Sequence, residues 1–399
     1  MKHNFFFSLA AVMAVAASIF TASCGNGENP EKTAAMERLQ ANLPLYDSTL
    51  QALIERDSIP MIDLVFYSNG ASIHIQKVNP AVYSEDEAGK THVFQAASLS
   101  KVIFSYIVMQ MVENGEIDLN TPLCQYTDIA RFEQAGDSIN TARARKITAA
   151  MVLNHRTGLS NWAEGPSSDE WPTSTITFSV EPDSCYGYSG EGMAFLQRAV
   201  EAIKGKSIDV IAKEMVFEPL GLEHTAYCWL DEYDSLAVSG YKANFEDRGQ
   251  GRHPRSNVAY TLRTNAEDYA KFLTAIATKY YQPAVNGNVA NGLTEEYWNL
   301  FLTPNPEIAK RYWDEERACD STMYWCNGIG LEKNANQGNV YWHWGDNGSF
   351  KALFMYVPAR NEFFIYFTNS IYGHEIVSDI TKLFFENDTP FAVDNWINL

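Results

Sequence analysis

Three short segments of the chain hold residues whose types and spacing could do chemistry. The first is Ser98-Leu99-Ser100-Lys101, at the start of an apolar run that reads as a helix. Residues three apart share one helix face, so the lysine amine can reach the serine hydroxyl. A serine hydroxyl is a weak nucleophile that needs an adjacent base, and a lysine serves if desolvation lowers its pKa. The start of a helix also offers free backbone N–H groups suited to an oxyanion. The same pattern recurs at Ser239-Gly240-Tyr241-Lys242, in a Gly-containing loop rather than at a strand-to-helix junction. The plainer role for Ser98 is an ordinary helix N-cap.

The second segment is Tyr188-Ser189-Gly190-Glu191-Gly192, just before a helical stretch. A tyrosine phenol there could carry a proton between nucleophile and leaving group. Tyr186 competes for that role, and in isolation the segment is a turn followed by a helix start. The third is His343-Trp344-Gly345-Asp346-Asn347-Gly348, at the end of a predicted strand. A small residue at 345 would let a substrate lie along the strand edge, where backbone N–H groups are free. Taken alone, Asp346-Asn347-Gly348 is a turn.

The elements that must position these residues follow from periodicity. Residues 33–56 read as a helix broken at Pro44. Ile62 to Tyr67 and Ser72 to Val78 are β-rich runs separated by Asn69-Gly70, a hairpin signal. Leu99 to Glu113 is helical and apolar nearly all round, as befits a core helix, and Asn114-Gly115 ends it. Further helices are predicted over 191–204, 207–216, 265–278 and 373–386. Strands are predicted over 338–344, 352–357 and 363–368, with Pro358-Ala359-Arg360-Asn361 as a turn. Strands at both ends and helices between them predict an α/β (α+β) fold. In it, a helix-flanked antiparallel sheet is assembled from residues 45–98 and about 255–399, with a mainly helical region, about 99–254, inserted.

Composition narrows the function classes. The chain has 399 residues, 46% hydrophobic and 20% charged, and a net charge of −19. Such an acidic body repels phosphates, which argues against nucleic-acid partners. Phe5 to Phe20 is an apolar run of sixteen residues, short of the roughly 20 that span a bilayer. It precedes Thr21-Ala22-Ser23-Cys24, so residues 1–24 read as a secretion signal. Residues 25–44 then form a tether and an N-terminal helix. The remaining cysteines are Cys124, Cys185, Cys228, Cys319 and Cys326, an odd number with no C-x-x-C. Cys319 and Cys326 are close enough to bridge a short loop. The eight histidines form no H-x-x-x-H or H-E-x-x-H, so no metal is implied. Gly205-Lys206-Ser207 is not a phosphate loop, because Val200 stands where its first glycine belongs. His74 and His92 read as satisfied sheet residues.

In order and context, the three segments resemble the serine β-lactamase-like family, which includes class C β-lactamases, D,D-carboxypeptidases, D-aminopeptidases and related esterases. Its members carry S-x-x-K on a central helix, then Y-x-N or Y-S-x, then K-T-G or H-x-G on an edge strand. Other phrases resemble it too: Phe94-Gln95-Ala96-Ala97, Asn114 to Leu119, Leu153-Asn154-His155-Arg156-Thr157-Gly158-Leu159, Pro219-Leu220-Gly221-Leu222 and Leu262 to Asp268. The resemblance runs from about 45 to 385. The end of the leader is similar to a bacterial lipoprotein signal, which implies lipidation at Cys24 and a membrane-anchored protein facing the periplasm or cell surface.

The resemblance implies Ser98 as the acylated nucleophile, Lys101 as its base or hydrogen-bond partner, and Tyr188 as the donor to the leaving group. It leaves open which of Lys101 and Tyr188 takes the serine proton. The oxyanion would meet the N–H of Ser98 and one after Gly345, that of Asp346, and His343 would line the site. No cofactor is implied. Two departures bear on substrate choice. Gly190 stands where β-lactamases have asparagine, with Glu191 next to it to fill part of the space. His343 replaces a lysine, a fixed charge useful for holding a carboxylate, with a group mostly neutral at pH 7. Both suit a small ester, amide or peptide substrate of esterase or D-peptidase type. The alternatives are a non-catalytic module binding cell-wall fragments or a partner, and a penicillin-binding D,D-peptidase or β-lactamase. His155 reads as packing or capping, and Trp162 and Trp171 fall in a stretch, 160–185, that could roof the site.

Overall fold

The computed structural model describes residues 29–284, 290–304, 321–387 and 389–397. The leader with Cys24, and Cys319, lie outside them.

A seven-stranded antiparallel sheet forms the centre of the molecule. Its strands are β1 (Met61–Ser68), β2 (Ala71–Val78), β3 (Met323–Trp325), β4 (Gly330–Asn334), β5 (Gly338–Asp346), β6 (Lys351–Val357) and β7 (Glu362–Thr368), in the spatial order β2-β1-β7-β6-β5-β4-β3. The N-terminal hairpin pairs with the last strand, Leu64 opposite Tyr366, and so closes the sheet from both chain ends. Asn69 and Gly70 both have positive φ, +49° and +89°, the backbone of a two-residue hairpin turn that matches strand twist.

Alternation on the strands sends side chains to two cores. Ile62, Leu64 and Phe66 face a layer made by α1 (Pro30–Arg56) and the C-terminal helices 377–385 and 392–397. Val65, Tyr67, Phe354 and Phe367 face the core built around α2 (Ser100–Glu113). Every residue of α2 from Ser100 to Met111 is buried, as its all-round apolar pattern requires. The helices α3 (Gly190–Lys204) and α4 (Ala266–Ala277) pack in this second core, each started by a side-chain cap, from Ser189 and Asn265.

Two expectations change. Helix α1 is not broken at Pro44, nor does a segment end there; it runs unbroken from Pro30 to Arg56. Pro44 lies on the exposed side, where the carbonyl it leaves unpaired meets water, and Leu39, Tyr46, Leu50 and Ile54 hold the helix to the sheet. Strands β3 and β4 were not apparent from periodicity; they are three and five residues long, and the second ends in Glu-Lys-Asn. Cys326 is a buried free thiol that donates to the Leu302 carbonyl; the expected bridge to Cys319 involves a residue outside the described ones.

Candidate active site

Ser98 sits in a single tight turn, Ala97–Leu99, between a short strand (Phe94–Gln95) and α2. Ala97 has φ +47°, a left-handed conformation that costs a non-glycine residue and is held only by tight surroundings. That turn lifts Ser98 into a cleft of about 390 Å³ while its neighbours Ala97 and Leu99 stay fully buried.

Lys101 follows one turn later and is buried to 2% exposure. Its Nζ donates to Ser98 Oγ at 3.1 Å and to the Ala259 carbonyl at 2.7 Å, and lies 4.7 Å from the centre of the Tyr188 ring. Burial, with no offsetting carboxylate, lowers its pKa to about 7. A substantial fraction of Lys101 is therefore a neutral amine at neutral pH, able to accept a proton from the serine. Tyr188 is shifted the other way: burial raises its phenol well above the usual value, and the neighbouring Ser98 opposes this only in part. Its hydroxyl is buried beside the Ser98 hydroxyl.

Tyr188 is held from behind by His155. The His155 carbonyl accepts the Gly187 N–H at 2.6 Å, its Nδ1 accepts the Ser189 N–H at 3.2 Å, and its ring packs 4.3 Å from the Tyr188 ring. Residues on both sides of Tyr188 are thus pinned by one residue, itself at φ +53° and kept neutral by burial. His155 does cap, as expected, but what it caps is the loop that carries Tyr188. Tyr186 packs against Trp325 and Trp396.

Of the other sequence candidates, Asp346 lines the cleft with Ser98 and Lys101. Its carboxylate is held by Lys351 at 2.6 Å and by the Gly348 N–H at 2.7 Å. The expected roles of four others need correction. His343 does not line the cleft: it is fully buried, its Nδ1 bonded to the Trp344 carbonyl at 2.7 Å. Burial and the nearby Lys101 lower its pKa to about 3, so it is neutral. The smallness of Gly345 serves the chain itself rather than a substrate: a Cβ there would come within 2.5 Å of the Ala96 carbonyl, so only glycine lets β5 lie against the turn before Ser98. At Gly190 the room is taken by Trp162, whose ring would be 2.3 Å from an added Cβ. Glu191 turns into the protein, because a buried carboxylate needs partners. It finds them in Arg131 Nη1 at 3.0 Å, Trp171 Nε1 at 2.8 Å and the Ala163 N–H at 3.1 Å.

These last contacts tie the 160–176 stretch down as a roof. Trp162 lines the cleft and meets Tyr260 edge-on at 5.6 Å, whereas Trp171 anchors the stretch from inside. Asn161, Arg248, His253, Tyr260 and Asn347 also line the cleft. They come from loops with no periodic pattern, and only Asn347, beside Asp346 in the third segment, carried any sequence signal. Among the described residues no cluster of ligand-type side chains could hold a metal. His74 is enclosed by Asp63 and Glu267, and His92 by Glu87, as satisfied groups.

Comparison with known proteins bears on the family and the fold. A family profile described as Beta-lactamase matches residues 48–383. The chain is 28% identical over 141 residues to penicillin-binding protein 4 of Amycolatopsis lactamdurans, covering 33% of this chain and 35% of that protein. It is 25% identical over 189 residues to the D-alanyl-D-alanine-carboxypeptidase/endopeptidase AmpH of Escherichia coli, covering 41% and 48%. It thus spans between a third and a half of the length of these relatives. In fold it is similar to a class C beta-lactamase (TM-score 0.67, 12% identity, 92% and 99% covered) and to a D-stereospecific amidohydrolase from Streptomyces (TM-score 0.64, 14% identity, 90% and 100% covered). The chain belongs to the beta-lactamase family, a family of serine hydrolases.

Proposed function

We propose that this chain is an exported serine hydrolase that cleaves an ester or amide, of esterase or D-peptidase type, through an acyl-enzyme on Ser98. The observation that carries this reading is the buried Lys101 amine, with a pKa of about 7 and Nζ 3.1 Å from Ser98 Oγ. Ser98 Oγ attacks the substrate carbonyl carbon and its proton passes to neutral Lys101. The oxyanion is met by the N–H groups of Ser98 and Asp346. Tyr188 suits the donor role better than the base role, because burial keeps its phenol protonated; it gives its proton to the leaving group and recovers one from Lys101. Water then attacks the acyl carbon, the base takes its proton, and Ser98 leaves with a proton restored.

Ester or amide substrates without a strict carboxylate requirement are favoured by two features. The third motif supplies no cation, since His343 is buried and neutral. The place beside Gly190 that would receive an acylamino group is closed by Trp162. The names of AmpH, a carboxypeptidase/endopeptidase, and of a lovastatin esterase of Penicillium rubens, 24% identical over 158 residues, cover amide and ester cleavage between them.

Intact-mass spectrometry of the full-length chain with a fluorophosphonate tests the reading. One adduct on the wild type and none on Ser98→Ala is expected; no adduct on the wild type would make the cleft a binding site instead. For export, we propose a lipoprotein anchored through Cys24. Labelled palmitate should enter the wild type and not Cys24→Ala.

A further inference from the structure

His374 belongs to none of the motifs, yet it is buried against the strand that borders the site. It lies in the connection between β7 and the helix 377–385. Its Nε2 is 3.2 Å from the Gly345 carbonyl oxygen and its Nδ1 is 3.0 Å from the Tyr366 hydroxyl. A carbonyl oxygen only accepts, so Nε2 carries the proton and donates. Burial and the cation of Lys351 lower the pKa of His374 to about 4, so the ring is neutral at pH 7 and has one proton to place. Nδ1 is then a lone pair, and the Tyr366 hydroxyl donates to it. The relay runs one way, from Tyr366 through His374 to Gly345.

The acceptor is what gives this relay meaning. The Gly345 C=O and the Asp346 N–H belong to the same peptide unit. In a planar trans peptide they point in opposite directions. Fixing the carbonyl therefore fixes where the N–H points. The strand edge at this place is open, because the pairing of β4 with β5 ends at Gly330 and Trp342. β6 holds the other edge, with Ala352 opposite Gly345. The absent side chain of Gly345 brings this peptide against Ala96 and Ala97, the residues just before Ser98, and Asp346 faces the same cleft as Ser98.

We propose that His374 is a positioning residue for the oxyanion site: by donating Nε2–H to the Gly345 carbonyl it sets the plane of the 345–346 peptide and so aims the Asp346 N–H at the reacting oxygen. The inference rests on the reading of Ser98 as an acylated nucleophile. A hydrogen bond to the carbonyl also polarises the amide and strengthens its N–H as a donor. His374 does not line the cleft, so it acts on the reaction through this peptide and not by touching substrate.

The test compares the full-length wild type with His374→Leu, His374→Gln and Tyr366→Phe. Each is assayed on an activated ester and on its thiono counterpart, in which the carbonyl oxygen is sulfur, a weak hydrogen-bond acceptor. Removing an oxyanion donor costs about 100- to 1000-fold in kcat; misaiming one should cost roughly 10- to 100-fold. His374→Leu is expected to lose that much kcat on the oxo ester, with KM and the midpoint of the pH–rate profile unchanged. The thiono rate should hardly move, so the oxo-to-thiono ratio collapses. His374→Gln keeps a donor and should recover most of the ratio, and Tyr366→Phe should lower it less. If His374→Leu does not fold, the ratio in Tyr366→Phe decides. An unchanged ratio in His374→Leu, or in Tyr366→Phe where His374→Leu does not fold, or a loss confined to KM, overturns the inference. Absence of a Ser98 adduct on the wild type overturns the hydrolase reading itself, and this inference with it, before any variant is compared.

Discussion

The Trp162 ring occupies the space that any side chain at residue 190 would need, with an added Cβ only 2.3 Å from it. The Gly190 N–H is held at the same time by Asn161 Oδ1 at 2.8 Å, so the roof and the start of α3 fit each other closely. Gly190→Asn should displace the indole and lower stability by about 1–3 kcal/mol, the usual cost of overpacking. Trp162→Ala in the same chain should restore the loss and open the cleft to bulkier acyl groups. Thermal denaturation checks the first statement. Covalent trapping of a β-lactam, followed by intact mass, checks the second.

Lys101 makes activity and stability depend on pH in a defined way. The serine is activated only when the amine is neutral, so acylation should rise through about pH 7 and level off above it. The folded pKa is below the unfolded value of about 10.5, so the unfolded chain binds more protons between those two values. Stability contributed at this site therefore rises with pH from about 7 to about 10.5 and is at its worst below 7. Lys101→Met should abolish acylation yet stabilise the fold at pH 7, on the order of a few kcal/mol. Denaturant titrations at pH 6 and pH 9 would show the difference between the proteins shrinking at the higher pH.

Glu191 and Arg131 form a buried pair, with side-chain exposures of 0% and 9%. Removing one partner leaves the other charge uncompensated, which typically costs about 3–5 kcal/mol. Arg131→Met should therefore destabilise strongly, and Glu191→Gln less, because the amide still accepts from Trp171 and Ala163. Proteolysis should cut first within 160–176 in both variants. A fall in stability with unaltered protection of that stretch would remove the roof-anchor role.

His155 offers two separable effects. His155→Leu strands the Ser189 N–H, a loss of about 1–3 kcal/mol, and frees the loop around Tyr188. His155→Asn keeps an acceptor near the place of Nδ1 and tolerates the left-handed backbone at φ +53°. Turnover should fall sharply in the first and only modestly in the second, with Ser98 still labelled in both. Equal turnover in the two variants would show that Tyr188 does not depend on this clamp.

Much of this architecture is legible in local pattern. The all-round apolar run after Ser98 can only be a buried helix, and Asn69-Gly70 between two alternating runs can only turn a hairpin. The Ser98–Lys101 contact follows from their three-residue spacing, carried across the Ala97–Leu99 turn into the first turn of α2. His343 was less legible, because strand alternation says which face a side chain takes but not whether that face is open to solvent. Trp325 and Tyr188, far from it in sequence, pack at 5.4 and 6.3 Å and close it in.

The sequence by itself determined the helix-flanked sheet, the placement of Ser98 and Lys101 on one helix face, and the family. These depend on spacings of a few residues, where chain geometry leaves little choice. Only the tertiary structure decided that Lys101 is desolvated, that Glu191 anchors a roof while Trp162 fills the space beside Gly190, and that His155 and His374 stand behind Tyr188 and the 345–346 peptide. Each of these is an encounter between segments remote in sequence. Burial and partner choice are set there by packing, which no local pattern records.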